Sequence, residues 1–230
     1  MMKLDARLLC VVVALFGVLC CQSVSSVEEV PDTYAGVEVD VTLDPAGMLG
    51  AEGKDEAFKS ALGDMTVERS NPGEALEFSV TLSKGDAPAS FWHDIPAIAQ
   101  GSLEEEGPLV VNFVPEIQRG QIGKLEIIKD IDGNPVKFDR KDVKDSEGEV
   151  LYERPRYVAY GASPFIYGAI PQTWENSLAP DPITNITGDN DPIDALDIGS
   201  VVPGVGAAYE AKVLGTLGLI DDEETDWKVI

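Results

Sequence analysis

The chain is poor in the residues on which many catalytic and metal sites depend. Its 230 residues include one histidine, His93, and three cysteines, Cys10, Cys20 and Cys21. A zinc site with several histidines is therefore excluded, and a Ser-His-Asp triad would depend on His93 alone. We treat His93 as structural. Because every thiol lies within the first 21 positions, disulfide bonds are not expected to stabilise the rest of the chain.

Basic residues are also scarce. Seventeen Lys and Arg residues stand against 41 Asp and Glu residues, which gives a formal net charge of -24 at pH 7. Proteins that bind nucleic acid neutralise its phosphates with basic surface, and no basic stripe is visible in this sequence. The composition therefore argues against nucleic-acid binding, and most of the acidic residues are expected to form a solubilising surface.

A short apolar run lies near the start of the chain. Lys3 and Arg7 flank a polar beginning, residues 8–21 are apolar, and residues 22–26 are small or polar. The run has about 14 residues, whereas a transmembrane helix needs roughly 20. Residues 1–26 thus resemble a signal peptide, which predicts the secretory pathway or the extracellular space and no stable membrane span after cleavage.

Two further regions follow the targeting segment. Residues 27–65 mix acidic residues with Pro and Gly, which predicts a flexible extension. The alternative, the second part of a plastid address, fits poorly because transit peptides contain few acidic residues. Residues 66–230 are expected to form one β-rich domain, in which Leu76, Phe78, Val80 and Leu82 alternate with polar residues as in a half-buried strand. Other candidate strands lie at 109–114, 124–129, 148–152, 195–198, 208–219 and 227–230.

The segment 188–199 carries the most distinctive chemistry. It holds Asp189, Asp191 and Asp194, and a second acidic patch follows at 221–226. If Asp189 and Asp191 lie in extended chain, their side chains share a face, and a turn at Pro192 returns Asp194 to them. Carboxylates gathered in this way suit hard cations such as Mg²⁺.

Two other interpretations of this segment are a solvated turn and a calcium-binding loop. An EF-hand loop requires an acidic or amide residue at its fifth position and Gly at its sixth, where this chain has Ile193 and Asp194. A solvated turn would not interleave its carboxylates with apolar residues such as Ala195 and Leu196. We expect the carboxylates to line the wall of a packed domain.

Several motifs resemble family I soluble inorganic pyrophosphatase of the eukaryotic type, and they occur in the order of that family. They are FWHDIP at 91–96, VPEI at 114–117, KLE at 124–126, YGAIPQTWE at 167–175, GDNDPID at 188–194 and DWKVI at 226–230. The resemblance implies a mainly β fold with a closed five-stranded barrel of OB-like topology, added loops and short helices. It also implies Mg²⁺-dependent hydrolysis of inorganic pyrophosphate to two phosphates, with several ions per site, and leaves a homodimer open.

The resemblance further implies a role for each acidic residue that matches the family. Asp189, Asp194 and Asp226 would bind the tightest metal, and Asp189 would also reach a second ion. Asp191 would act as general base on the attacking water. The remaining matches are Asp221, which would join Asp226 on the metal that arrives with substrate, Glu126 on a further metal, and Glu116 in the outer shell.

On the phosphate side, Lys124, Lys228 and Tyr167 match positions that contact phosphate in the family. Where the family has an arginine in a Leu-Arg-Phe sequence, this chain has Leu-Tyr-Glu at 151–153. Arg154 or Arg156 is expected to substitute, and the sequence does not choose between them.

The chain also departs from the family at its end, since family members continue beyond the residue that matches Ile230 through more barrel, a Tyr-Lys pair and a helix. We therefore expect a C-terminally incomplete domain. Two alternatives remain open: a non-catalytic metal-binding homologue or fragment, and an acidic secreted calcium-binding protein. A plastid, another organelle and the cytoplasm, where many family members reside, are the alternatives to secretion.

Overall fold

The computed structural model describes residues 59–103, 107–159 and 161–230. The predicted signal peptide and nearly all of the predicted extension lie outside these residues. Within the described ranges the chain forms strands joined by turns and contains no helix, so no helix there could cross a membrane. The strands are β1 (Met65–Ser70), β2 (Ser79–Lys84), β3 (Ala87–Ala89), β4 (Val110–Ile117), β5 (Leu125–Ile127), β6 (Val136–Phe138), β7 (Arg140–Lys144), β8 (Val150–Pro155), β9 (Ile166–Ala169), β10 (Asp194–Asp197), β11 (Tyr209–Lys212), β12 (Thr216–Asp221) and β13 (Glu224–Val229).

The strands form two main sheets and one hairpin. The first sheet has the order β1-β2-β6-β5, with β3 paired to β2, and the second has the order β11-β4-β9-β10-β13-β12. Strands β7 and β8 make a separate two-stranded hairpin. Neighbouring strands pair antiparallel, except that β10 and β13 run parallel. The mainly β fold predicted for this chain is confirmed.

The short helices that the family resemblance implied are not found in the described part of the chain. The six-stranded sheet ends at β11 and β12, so within the described residues it forms a half-barrel of the OB-like fold and not a closed barrel. Some backbone amides between strands close local turns, as where the Asp94 amide donates to the Ser90 carbonyl at 3.1 Å.

The alternating pattern of residues 76–83 is confirmed for its second half. Phe78, Val80 and Leu82 are buried in the first sheet's core, where they pack with Phe91 and Val136. Strand β2 begins later than predicted, because the Phe78 amide closes a turn by donating to the Glu74 carbonyl at 2.7 Å.

The single strand predicted over 208–219 is wrong, because the chain forms two strands there. Strand β11 pairs with β4, whereas β12 pairs with β13. Between them the Leu214 amide donates to the Ile230 carbonyl at 2.6 Å, which redirects the chain. The sequence does not reveal this change of direction, because the two strands and the connection between them contain similar residues. Strands β1, β3, β6, β7 and β9 were not predicted.

Close packing of β4 against β9 sets the position of the central strands. Gly168 lies in β9, and a Cβ atom added there would stand 2.1 Å from the Val114 carbonyl oxygen. Only glycine allows this approach. The contact brings Tyr167 and Ala169 beside β10, where Asp194 pairs with Ala169.

Candidate functional site

An acidic cavity of about 450 Å³ opens beside the six-stranded sheet. It is lined by ten carboxylates, four cationic side chains and one tyrosine, so its charge is strongly negative. The carboxylates are Glu116, Glu126, Asp130, Asp189, Asp191, Asp194, Asp221, Asp222, Glu224 and Asp226. The other polar side chains are Lys124, Lys129, Arg156, Lys228 and Tyr167. The fold thus brings together all the site residues that the sequence predicted without ambiguity.

Lys228 lines this cavity and contacts three of its other polar side chains. Its ammonium donates to the Tyr167 hydroxyl at 3.0 Å and also to carboxylate oxygens of Asp194 and Asp226. The arrangement follows from the sheet, because the parallel pairing of β10 with β13 puts Asp194 opposite Lys228. Two carboxylates therefore share one partly buried cation.

Burial and neighbouring charges together set the pKa values of this group. It raises the pKa of Asp194, and Lys228 only partly offsets the effect. Burial lowers the pKa of Lys228, but the charges of Asp194 and Asp226 outweigh it and leave that pKa above its ordinary value. Burial and the charge of Asp194 also raise the pKa of Tyr167, so its hydroxyl keeps its proton.

Glu116 is a buried lining residue of the cavity. It is buried in β4, and its Oε1 accepts the Ile127 amide of β5 at 2.6 Å. Burial, with the nearby charge of Asp194, raises the pKa of Glu116 well above its ordinary value. Its carboxylate thus joins β4 of one sheet to β5 of the other.

A second ion-pair group forms one wall of the cavity. The Lys124 ammonium lies 2.7 Å from Glu126 Oε2 and 3.0 Å from Asp139 Oδ2, while an Arg156 nitrogen lies 2.9 Å from the same Asp139 oxygen. Burial raises the pKa of Asp139, but Lys124 and Arg156 overcome this and hold it below its usual value. Lys124 and Glu126 are two residues apart and their side chains meet, so they lie on the same face of the chain. Arg156 lines the cavity, whereas Arg154 is not among its lining residues.

The loop at Asp189 and Asp191 is not extended as the sequence suggested. Asn190 has a φ of 73°, and the Asp191 amide donates to Asp189 Oδ1 at 2.9 Å. This is the local turn that Asp and Asn side chains favour. Both carboxylates still line the cavity, and the Lys129 ammonium lies 2.7 Å from Asp191 Oδ1.

Asp221 and Asp226 lie on the two strands of a tight hairpin, β12 and β13. The hairpin turns at Asp222 and Glu223, whose φ angles are 45° and 69°. Positive φ at both central residues is the geometry that usually selects Asn-Gly or Gly-Gly. Here two acidic residues occupy it at the edge of the cavity.

The comparisons with known proteins agree with this geometry. The family model for inorganic pyrophosphatase matches residues 113–230, which include most of β4 and every strand that follows it. The chain belongs to the inorganic pyrophosphatase family. Relatives include inorganic pyrophosphatases of Zygosaccharomyces bailii, 38% identical over 72% of this chain and 54% of the relative, and of Dictyostelium discoideum, 38% identical over 73% and 55%.

Solved structures of the family show the same fold. The inorganic pyrophosphatase of Schistosoma japonicum matches with a TM-score of 0.59 and 34% identity over 72% of this chain and 54% of that one. A vacuolar soluble pyrophosphatase of Trypanosoma cruzi, in complex with PPi, matches with a TM-score of 0.60 and 30% identity over 80% and 68%. The chain spans about half the length of the curated relatives it matches.

Among the described residues of this pyrophosphatase-family chain, no three carboxylate, histidine or cysteine side chains converge into a preassembled metal site. The reason is visible in the ion pairs: lysines hold several of the predicted ligands, as Lys228 holds Asp194 and Asp226. The donor set still fits Mg²⁺, because it consists of oxygens and leaves a large excess of negative charge.

Sequence reasoning missed three polar residues of the site. Lys129 pairs with Asp191, and Asp139 joins Lys124 to Arg156. Glu175, in the YGAIPQTWE motif, is buried and accepts the Trp227 amide at 2.8 Å. No spacing rule points to these residues, although the position of Glu175 inside a family motif was a usable signal.

Proposed function

We propose that this chain carries the catalytic site of a Mg²⁺-dependent inorganic diphosphatase, which hydrolyses pyrophosphate to two phosphates. The observation that carries the proposal is the acidic cavity, where ten carboxylates and four cationic side chains line one space. Pyrophosphate is a compact polyanion, so such a cavity can bind it only if cations intervene. Family membership and the relative in complex with PPi support the same substrate.

The carboxylates are the proposed cation ligands. Asp189, Asp194, Asp226, Asp221 and Glu126 would hold the ions, and Glu116 would support them through its bond to the Ile127 amide. When bound, Mg²⁺ neutralises phosphate charge and makes water a better nucleophile near neutral pH.

Asp191 is the proposed general base. Its side chain is 45% exposed and lines the cavity, and the Lys129 ammonium lies 2.7 Å from its Oδ1. General-base assistance requires a carboxylate held within hydrogen-bond reach of the attacking water. The turn at Asn190, which places Asp191 beside Asp189 in the cavity, supports this role.

Lys124, Lys228, Arg156 and Tyr167 form the proposed phosphate-binding side. Each cation is now paired with a carboxylate, so we expect each to exchange that partner for a phosphate oxygen. Tyr167 keeps its proton because its pKa is raised, and its hydroxyl can donate to a phosphoryl oxygen. Arg156 takes the place of the family arginine because it lines the cavity with these groups.

The domain layout is part of the proposal. Residues 1–26 would be a targeting segment, 27–65 an extension, and 66–230 the pyrophosphatase domain. We retain secretion as the proposed route, with an organelle as the alternative; relatives in Trypanosoma include vacuolar soluble pyrophosphatases. Sequencing the amino terminus of the protein purified from its host would reveal whether cleavage occurs near residue 26.

The decisive test measures phosphate released from pyrophosphate by the full protein, with Mg²⁺ or Ca²⁺ as the added ion. We expect Mg²⁺ to support turnover and Ca²⁺ to inhibit it, because Ca²⁺ takes more and longer oxygen contacts and polarises water less. Mg²⁺ binding without turnover would indicate a non-catalytic homologue. Selective Ca²⁺ binding without turnover would indicate a calcium-binding protein.

A further inference from the structure

We propose that Glu175 is a positioning residue that holds the two walls of the acidic cavity in register and thereby sets its affinity for divalent cations. One wall is the loop with Asp189 and Asp191, and the other is β13 with Asp226 and Lys228. The inference rests on the proposed function, because it assumes that the cavity binds cations.

Three hydrogen bonds connect Glu175 to both walls. Its Oε1 accepts the Trp227 amide of β13 at 2.8 Å. Its own amide donates to the Asp191 carbonyl at 2.8 Å, and its carbonyl accepts the Asn190 amide at 3.0 Å. A single residue therefore fixes the backbone on either side of the proposed ligands.

The bond to Trp227 fills a gap in the sheet. Strand β10 pairs with β13 only at Asp194–Lys228 and Ala195–Val229. The register does not extend to Trp227, whose amide would otherwise lack a partner on this side of the strand. At this position, between Asp226 and Lys228, the Glu175 carboxylate accepts the hydrogen bond that a neighbouring strand would otherwise accept.

The contact between Glu175 and the loop is tight. A Cβ atom added to Gly188 would lie 2.5 Å from the Glu175 carbonyl carbon and 2.7 Å from its Cβ atom. The loop also runs beside β13, since Gly188 bridges to Thr225. Small shifts of Glu175 are thus transmitted to the residue directly before Asp189.

The second oxygen of Glu175 indicates that this carboxyl group is not needed for packing alone. The residue is 6% exposed, and its Oε2 is buried without a hydrogen-bond partner. A buried polar atom without a partner is unfavourable, and an apolar side chain would fill the space at less cost. However, an apolar side chain could not accept a hydrogen bond from the Trp227 amide.

The test compares three variants of the full protein for Mn²⁺ binding, measured by the electron paramagnetic resonance of free Mn²⁺. Glu175→Ala removes the acceptor and should weaken binding about tenfold, while Glu175→Gln keeps an acceptor of the same shape and should restore it to within about twofold. Asp181→Asn is the matched control, because Asp181 Oδ2 accepts the indole N–H of the same Trp227 but is not a lining residue of the acidic cavity. We expect it to bind Mn²⁺ like the wild type.

Hydrogen exchange at the Trp227 amide gives a readout that does not depend on cations. We expect faster exchange in Glu175→Ala than in Glu175→Gln, with circular dichroism showing that both variants fold. Wild-type affinity in a folded Glu175→Ala, or equal loss in the Ala and Gln variants, would overturn the inference. Failure of the proposed function would look different, because the wild type itself would either bind no Mn²⁺ or bind it without releasing phosphate from pyrophosphate.

Discussion

Two cavities share the strands β10 and β13, and they differ sharply in chemistry. Asp194 and Lys228 line the acidic cavity, whereas their neighbours Ala195 and Val229 line an apolar cavity of about 580 Å³. Successive side chains of a strand point to opposite faces of the sheet, so one pair of strands supplies both surfaces. The same two strands thus have a charged cavity on one face and a mainly apolar cavity on the other.

This difference predicts how each region responds to substitution. In the acidic cavity the side chains are held by ion pairs that a ligand can replace, so changes there should alter cation binding and turnover. In the apolar cavity Phe113, Tyr209 and Val111 belong to a buried cluster, so changes there should alter the free energy of unfolding. Substitutions in each region can test whether effects on cation binding and turnover separate from effects on the free energy of unfolding.

The largest effect is expected at Asp191 in the acidic cavity. Asp191→Asn should lower turnover by about 10²- to 10⁴-fold, because an amide cannot accept the proton of the attacking water. Binding of Mg²⁺ should change little, since Asp191 is not a proposed ligand. Phosphate release at saturating Mg²⁺ is the measurement, and turnover equal to that of the wild type would show that another group is the base.

The next effect belongs to the apolar side. Phe113 is 1% exposed, and Phe113→Ala should lower the free energy of unfolding by about 3–5 kcal/mol. Denaturant unfolding measures this loss. If the variant remains folded, its Mn²⁺ affinity should match the wild type, because Phe113 is not a lining residue of the acidic cavity. A parallel fall in Mn²⁺ affinity would mean that the two faces are not independent.

The contrast between the faces also explains what the sequence could predict. Carboxylates such as Asp189, Asp194 and Asp226 carry chemistry that is visible in a short motif, and the cavity contains them all. Lys129 and Asp139 gained their roles only through folding, because each pairs with a residue at least 15 positions away. The turn at Asn190 was missed because acid spacing does not reveal a positive φ.

On the fold side, alternation predicted the burial of β2, where period two is clear. The three-residue strands β3 and β6 were missed, because they are too short to show a period. The sequence also could not show that Arg156 lines the cavity and that Arg154 is not a lining residue, since the two lie on one short stretch of sequence.

A pH experiment can test the protonation of Glu175, which is buried next to the acidic cavity. Burial, together with the charges of Asp189, Asp226 and Asp194, raises the pKa of Glu175 to about 7 from an ordinary 4.5. The folded state therefore holds this proton more tightly than the unfolded state, and the resulting stability is complete below pH 4.5 and lost as the pH rises to about 7.

Glu175→Gln cannot ionise and should escape this loss. Thermal unfolding midpoints measured between pH 4 and 8 should shift in favour of the Gln variant across the interval from about pH 4.5 to 7, and the difference should level off above it. Parallel midpoint curves for the two proteins would contradict the raised pKa of Glu175.

The smallest predicted effect lies at the rim of the acidic cavity, in the hairpin turn at Asp222 and Glu223. Glu223 has a φ of 69°, a conformation that is unfavourable for residues with a Cβ atom by roughly 1–2 kcal/mol. Glu223→Gly should therefore raise the free energy of unfolding by about 1 kcal/mol, as measured by urea unfolding. Glu223→Gln is the control, because it removes the same charge but keeps the side chain. Equal stabilisation by Gly and Gln would assign the gain to relief of charge repulsion, whereas a gain confined to Gly would show that the acidic rim is built on a strained turn that the apolar face does not require.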